Sequence, residues 1–256
     1  MCALIAIAVF STEENQKDSC LERTLESIRN TVDFSKHRLM LSINAFTERT
    51  LKITDKYANI IQYIVSNPEN IGTAKAINEL WALRIQGENL IKMDDDIETS
   101  YIGWVDEMDA AIAREPKIGQ VGLKRKDCWE WPGHKEEDFR SELIMLPHQP
   151  GESWITVEKV KHVIGSCVMH SAALIDKVGF LYQPGVYGYD DVIMSHRTHL
   201  AGMYSCFLSH IQIDHIDDGK TPYQDWKQKH SGQYTQEVIK LVHEMYAGIK
   251  PIYYGL

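Results

Sequence analysis

The sequence predicts an α/β fold: a mostly parallel sheet with helices on both faces and a long excursion in its second half. Three observations carry this. Short apolar runs alternate with amphipathic stretches through the first half, the pattern of βαβ units. A chain of 256 residues, 44% hydrophobic and 25% charged, has an ordinary globular composition and the length of one large α/β domain. The acidic triplet Asp94-Asp95-Asp96 directly follows the apolar run Leu90-Ile91-Lys92-Met93. It therefore falls at the carboxyl end of a predicted strand, where open α/β sheets bind ligands.

The elements follow in order. Ala3–Phe10 reads as a first buried strand; it is too short, and lacks the basic leader, for a signal peptide or a membrane span. Helix Ser19–Asn30 comes next, with Ser19 as N-cap and Glu22 completing a capping box. Strands are expected at Arg38–Asn44, Ile60–Val65 and Leu90–Met93, and helices at Thr73–Ile85 and Gly103–Arg114. From Lys124 to Ser153 the periodicity fades, and Pro132, Gly133, Pro147, Pro150 and Gly151 mark a long loop. Pattern returns with a strand at Val160–Met169 and helices at Ser171–Val178 and Asp191–Ala201. A strand at Tyr204–Ile211 follows. Gln236–Tyr246 is an amphipathic helix with Val238, Leu241, Val242 and Met245 on one face.

The net charge of −9 counts against a generally basic nucleic-acid binder. Five cysteines with no CxxC pair suggest neither a disulfide framework nor a zinc site, so a reducing cytoplasm is the expected location.

Five segments carry chemistry. Three carboxylates at one strand end repel unless a cation or a raised pKa relieves them. Oxygen ligands of that kind suit Mg²⁺ or Mn²⁺ with substrate phosphates completing the shell, although Asp94–Asp96 also reads as an acidic loop capping the next helix. In Asn70–Asn78, Gly72 permits close backbone approach and Thr73 offers an N-cap hydroxyl. Lys75 opposes the helix dipole there and so is expected to face something negative; the other reading is a capped helix with a surface lysine. Asp190-Asp191 precede a helical pattern, one as N-cap and the other as a general base, with Gly185 and Gly188 letting the loop approach an acceptor. His215 can complete a Mn²⁺ site, or be one more structural histidine among eleven. In the excursion, Lys124, Arg125 and Lys126 precede Trp129, Trp131, His134 and Lys135. They read as a stacking and phosphate-attracting cluster, or as a solvated charge cluster beside partly buried tryptophans.

In this order, these segments resemble the family 2 glycosyltransferases of the GT-A fold, a Rossmann-like architecture. Val9–Glu14 looks like that family's first strand and nucleotide loop, and Asn70–Asn78 matches its N-x-G-x-x-x-A-x-N segment. Asp94–Asp96 matches its DXD motif, Gly165–Met169 through Gly179-Phe180 its acceptor-side strand and helix, and Asp190-Asp191 its Glu-Asp pair. The likeness runs over roughly residues 3 to 218 of one domain, with 1–123 as the nucleotide-sugar half and 124–256 as the acceptor half. Two departures stand out: Asp replaces Glu in the pair, and His170-Ser171 stands where an arginine is usual.

The resemblance implies roles. Ser11, Thr12, Glu13, Asn44, Asn70 and Gly72 would line the nucleotide pocket, with Lys75 beside the base. Asp94 and Asp95 would contact the ribose. Asp94, Asp96 and His215 would hold Mn²⁺ or Mg²⁺. Asp191, backed by Asp190, would be the base of an inverting displacement from a UDP-sugar. The acceptor would be a glycan or, as in small bacteriophage relatives acting in the host cytoplasm, hydroxymethylcytosine in DNA. Lys124, Lys126, Trp129 and Trp131 would then hold an extruded base. The acidic net charge counts against DNA. Two rival readings are a nucleotidyltransferase and a non-catalytic sugar- or nucleic-acid-binding module. The first is disfavoured because the loop Ser11–Asn15 lacks a glycine- and lysine-rich phosphate cradle. In the second, Asp191 would be dispensable.

Overall fold

The computed structural model describes residues 2–127, 142–148, 150–151, 153–217 and 222–255. β1 (Ala3–Val9) is an unbroken apolar run and is buried. Ala3, Ile5, Ile7 and Val9 enter one core and Leu4 and Ala6 the other, since successive strand side chains point to opposite faces. β2 (Arg38–Asn44) pairs parallel with β1, and β3 (Tyr63–Asn67) adds outside β2. On the other side β4 (Asn89–Asp94) runs parallel to β1 with Asp94 opposite Ala8. That register brings the acidic end of β4 level with the end of β1.

β9 (Cys167–His170) inserts antiparallel between β4 and β6 (Ile118–Arg125). β10 (Tyr204–His215) then pairs parallel with β6, and β8 (Thr156–Val160) and β7 (Glu142–Met145) follow antiparallel. The sheet order is β3-β2-β1-β4-β9-β6-β10-β8-β7. β3, β2, β1, β4, β6, β10 and β7 share one direction, so the sheet is mostly parallel as expected. β5 (Ile97–Glu98) pairs antiparallel with the far end of β10, setting His215 opposite Ile97.

Helices cover both faces. α1 (Asp18–Thr31), α2 (Glu48–Lys56) and α4 (Trp104–Arg114) bury Leu21, Leu25, Ile28, Ile53, Trp104 and Met108 in one core. α3 (Thr73–Trp81), α5 (Ala172–Val178) and α6 (Asp190–Leu200) bury Ile77, Trp81, Leu174, Val178 and Met194 in the other. α7 (Pro222–Gly232) leads to α8 (Thr235–Tyr246), which packs Val238 and Met245 against Ile193 of α6.

Several expectations are corrected. Ser19 does not cap α1: the helix starts at Asp18, with Lys17 at the N-cap position and no side-chain cap. Asp18 instead accepts the Thr47 and Thr50 hydroxyls at 3.0 and 2.6 Å, which anchors α2, a helix the sequence reading lacked. The third strand begins at Tyr63, three residues later than expected. The strand expected over Val160–Met169 is two strands, β8 and β9, separated by a turn through Gly165. Helix α3 ends at Trp81. β6 was hidden by Gln120, Lys124 and Arg125, polar residues that are nonetheless buried. Gln120, for example, accepts from Thr198 and Ser205 and contacts His170 at 3.2 Å.

The C-terminal segment is tied down by Arg197, 2% exposed on α6. It donates to the carbonyls of Ile252 at 2.6 Å, Phe180 at 2.7 Å and Val178. Burial lowers its pKa to about 10. Gly179 beside it has φ +74°, and a Cβ there would lie 2.0 Å from the Tyr254 carbonyl oxygen. Arg197→Met removes the side-chain donor to the Ile252 and Phe180 carbonyls, while Val178 keeps the Tyr254 N–H, so it should cost about 3 kcal/mol and lower Tm by roughly 10 °C. A thermal melt checks this, and an unchanged Tm rules out the clamp.

Candidate functional site

The carboxyl ends of β1, β4 and β10 open into a cleft of about 460 Å³. Asp94, Asp95, Asp96, Asp190, Asp191 and His215 all line it. Two charged centres can be distinguished.

The first is an acidic cradle. Its parts are held by α1 and by β5: the Thr24 hydroxyl donates to the Asp95 carbonyl, and Ile97 N–H donates to Thr24 Oγ1, both at 3.0 Å. Pairing of β5 with β10 then brings His215 Nε2 within 3.3 Å of Asp96 Oδ2. Asp217 follows two residues later. Ligand atoms of Asp96, His215 and Asp217 lie within 4.8 Å of one another. Lys17 Nζ sits 2.9 Å from Asp96 Oδ2 and 2.6 Å from Asp217 Oδ2, and Lys227 reaches Asp217 at 3.2 Å. Burial opposes ionisation of Asp96, but the His215 hydrogen bond and the Lys17 charge hold its carboxyl well below the usual range. Asp95, by contrast, is pushed up to about 7 by burial and by the charge of Asp96. His215 Nδ1 faces Asp127 Oδ2 at 3.8 Å, and Asp127 is gripped by Arg125 through both oxygens. A carboxylate behind an imidazole orients it as a ligand.

Asp96 Oδ1 is buried and has no partner among the described residues. Two carboxylates and an imidazole, one oxygen still unsatisfied, fit a divalent cation of the Mn²⁺ or Mg²⁺ kind.

The second centre is built on Lys92, 6% exposed in β4. Its ammonium donates to the Gly165 carbonyl at 2.7 Å and lies 3.0 Å from Asp94 Oδ1. Asp190 Oδ2 is 3.4 Å away, an ion pair without hydrogen-bond geometry. Burial alone would lower the Lys92 pKa, yet Asp190 and Asp94 hold it well above the usual lysine value. Burial, with the Asp191 charge, keeps the Asp190 carboxyl raised despite Lys92. Gly165 N–H donates to Asp191 Oδ2 at 3.0 Å, and Val192 N–H donates to Asp191 Oδ1 at 2.7 Å. A Cβ on Gly165 would come within 2.9 Å of Lys92 Nζ and 3.1 Å of Asp191 Cβ. Neither aspartate is the N-cap of α6; that position is Tyr189, at φ +69°. His162 Nε2 lies 3.6 Å from Asp191 Oδ2.

The Asn70–Asn78 segment serves mainly to dock the loop leading to Asp190. Asn78 exchanges two hydrogen bonds with the Leu181 backbone, at 2.9 and 3.0 Å. Gly72, at φ +92°, lies so close to Val186 that a Cβ would meet its Cα at 2.9 Å. Thr73 does not cap α3; Gln183 Oε1 accepts from Ala74 N–H at 3.1 Å instead. The Gly185 of that loop packs under Tyr234, where a Cβ would fall 2.2 Å from its ring.

Of the other residues singled out, Asn44 and Asn70 line the cleft. Ser11 is buried, Thr12 closes a turn with Asn15 and Glu13 is exposed, and none of the three lines the cleft. Lys75 is exposed and faces a separate hollow with Glu69 and Glu79. Asp94 pairs with Lys92 rather than joining the cradle, whose third member is Asp217. Lys124 is buried against Glu158, and Lys126 pairs with Asp214 at 2.6 Å, so neither projects into the cleft. Trp129, Trp131, His134 and Lys135 lie outside the described residues.

Lys17, Lys92, Asp217 and Trp226 were missed. Lys92 had a signal, a lysine inside an apolar strand run. Trp226 of α7 had none: it stacks on His230 at 4.1 Å and lies 5.9 Å from both Phe10 and Tyr187, forming an aromatic wall of the cleft. No helix among the described residues is long and apolar enough to cross a membrane.

No family model matches the chain, and no curated protein does. Solved structures do. A mannosyltransferase from Pyrobaculum calidifontis, in complex with GDP-Man and Mn²⁺, superposes with TM-score 0.66 at 14% identity, over 92% of this chain and 64% of its own. S. aureus TarS with UDP-GlcNAc gives 0.65 at 15% identity, over 94% and 65%. GalNAc-T7 with UDP, GalNAc and Mn²⁺ gives 0.60 at 16% identity, over 84% and 44%. The chain thus spans less than two thirds of each of these proteins. It has the GT-A glycosyltransferase fold.

Proposed function

We propose that this chain is a divalent-metal-dependent glycosyltransferase that moves a sugar from a nucleoside diphosphate, UDP first among candidates, to an acceptor hydroxyl with inversion. The observation that carries this reading is that one cleft receives both the Asp96–His215–Asp217 cradle and Asp191. Asp96, His215 and Asp217 would hold a divalent cation, which would supply charge neutralisation for a departing diphosphate. The ligands carried by structural neighbours, GDP-Man and UDP with Mn²⁺, are of this chemistry.

The chain's own residues divide the work. Asp191 takes the proton of the acceptor hydroxyl, its carboxylate aimed by the backbone N–H groups of Gly165 and Val192. Lys92 balances Asp94 and Asp190, so that Asp191 is the carboxylate left to act as base. Phe10, Tyr187 and Trp226 keep water from the reacting centre. Asn44 and Asn70 supply polar contacts for the nucleoside. A glycan hydroxyl fits the acceptor better than DNA. Lys124 and Lys126, the cations assigned to phosphate, are already paired with Glu158 and Asp214.

Calorimetric titration with UDP and with GDP, each with and without Mn²⁺, tests the reading. The wild type should bind one of them in a metal-dependent manner, and Asp96→Asn should lose at least about tenfold in that affinity. Binding of neither nucleotide under any condition would sink the proposal.

A further inference from the structure

Lys17 occupies an unusual position. It is 3% exposed, at the N-cap position of α1. A lysine there suffers twice, from burial of its charge and from the positive end of the helix dipole. The loop that delivers it bends through Gln16 at φ +50°. Such placement is maintained by the two carboxylates it bridges, Asp96 and Asp217. Those same carboxylates belong to the cradle that fits a divalent cation. Asp217 also holds Lys227 of α7, and both lysines line the cleft. Meanwhile Asp96 Oδ1 stays buried and unpartnered among the described residues, so one ammonium satisfies the cradle only in part.

We propose that Lys17 is the resident counter-ion of the cradle, competing with the divalent cation and passing to the donor's phosphates when the cation enters. This rests on the glycosyltransferase reading above. An ammonium hydrogen-bonded to Asp96 Oδ2 and Asp217 Oδ2 excludes a metal ion bound directly to those atoms, because metal–oxygen bonds need the same lone pairs at shorter range. Lys17 has a flexible four-carbon stem and can leave without moving α1. Without nucleotide, a cation must break both Lys17 ion pairs to enter, so its binding is weakened. With nucleotide, the diphosphate receives the displaced ammonium, and cation and donor bind with positive coupling.

The test reads Mn²⁺ itself, by electron paramagnetic resonance of the free ion, with nucleotide absent and then with UDP or GDP. Lys17→Met should bind Mn²⁺ about tenfold more tightly than wild type when no nucleotide is present, and nucleotide should then add less than it does in wild type. Lys17→Gln, which keeps hydrogen-bond donors without the charge, should behave likewise and serves if the methionine variant fails to fold. Equal or weaker Mn²⁺ affinity in a folded Lys17 variant would overturn the competition. Mn²⁺ bound by no variant and not by wild type would overturn the cation cradle, and the transferase reading with it.

Discussion

Asp191→Asn is expected to slow sugar transfer about a thousandfold while nucleotide binding stays within about twofold of wild type. The amide has the size of the carboxylate and its oxygen can still accept from Gly165 N–H, so the turn before β9 keeps its shape. It cannot take a proton. The side of the cleft that carries Asp96, His215 and Asp217 is built from other elements and is left intact. With the acceptor unidentified, slow hydrolysis of the nucleotide sugar, water standing in for the acceptor, is a usable readout and should fall in parallel. Asp190→Asn is the control: Asp190 is buried against Lys92, so its loss should change stability more than rate. The reverse pattern, transfer lost in Asp190→Asn and kept in Asp191→Asn, would reassign the base.

Lys92→Met should destabilise the fold by about 3–5 kcal/mol. Methionine fills much of the space, so the cost is not a cavity. It comes from leaving Asp94 and Asp190 beside each other with no cation, and from removing the donor to the Gly165 carbonyl. Denaturant unfolding measures it. Adding Asp190→Asn to Lys92→Met should recover part of the loss, since it deletes one of the stranded charges; a double-mutant cycle gives the coupling. Additive effects, or wild-type stability in Lys92→Met, would show that the buried pair contributes nothing.

Regular repeats were legible in the sequence, and satisfied polar groups in the interior were not. β1, β4 and α1 declared themselves through apolar runs and period, and the acidic triplet through its place at a strand end. β6 did not, because Gln120, Lys124 and Arg125 look like surface residues until Thr198, Glu158 and Asp127 are seen opposite them. The triplet Lys124-Arg125-Lys126 suggested a phosphate-binding patch for the same reason. β5 is only two residues long, below any pattern, yet it sets His215 beside Asp96. Asp217, two residues beyond a candidate ligand, could have been suspected from spacing alone. Lys17 could not: nothing local distinguishes it from Lys36 or Lys56, which lie on the surface. Its role comes from a strand pairing that joins residues far along the chain.

β9 lies between β4 and β6 although it follows both in the chain. During synthesis the sheet therefore stays split until residue 170 has emerged. Until then β4 and β6 each present an unpaired inner edge, the kind of backbone row that invites pairing with another chain. Such late, non-local pairing is the kind that leaves strand edges open to other chains while it is awaited. β9, which follows the turn placing Gly165 against Asp191, thus joins the two parts of the sheet, and the cleft is completed only when Asp190, Asp191 and β10 follow it.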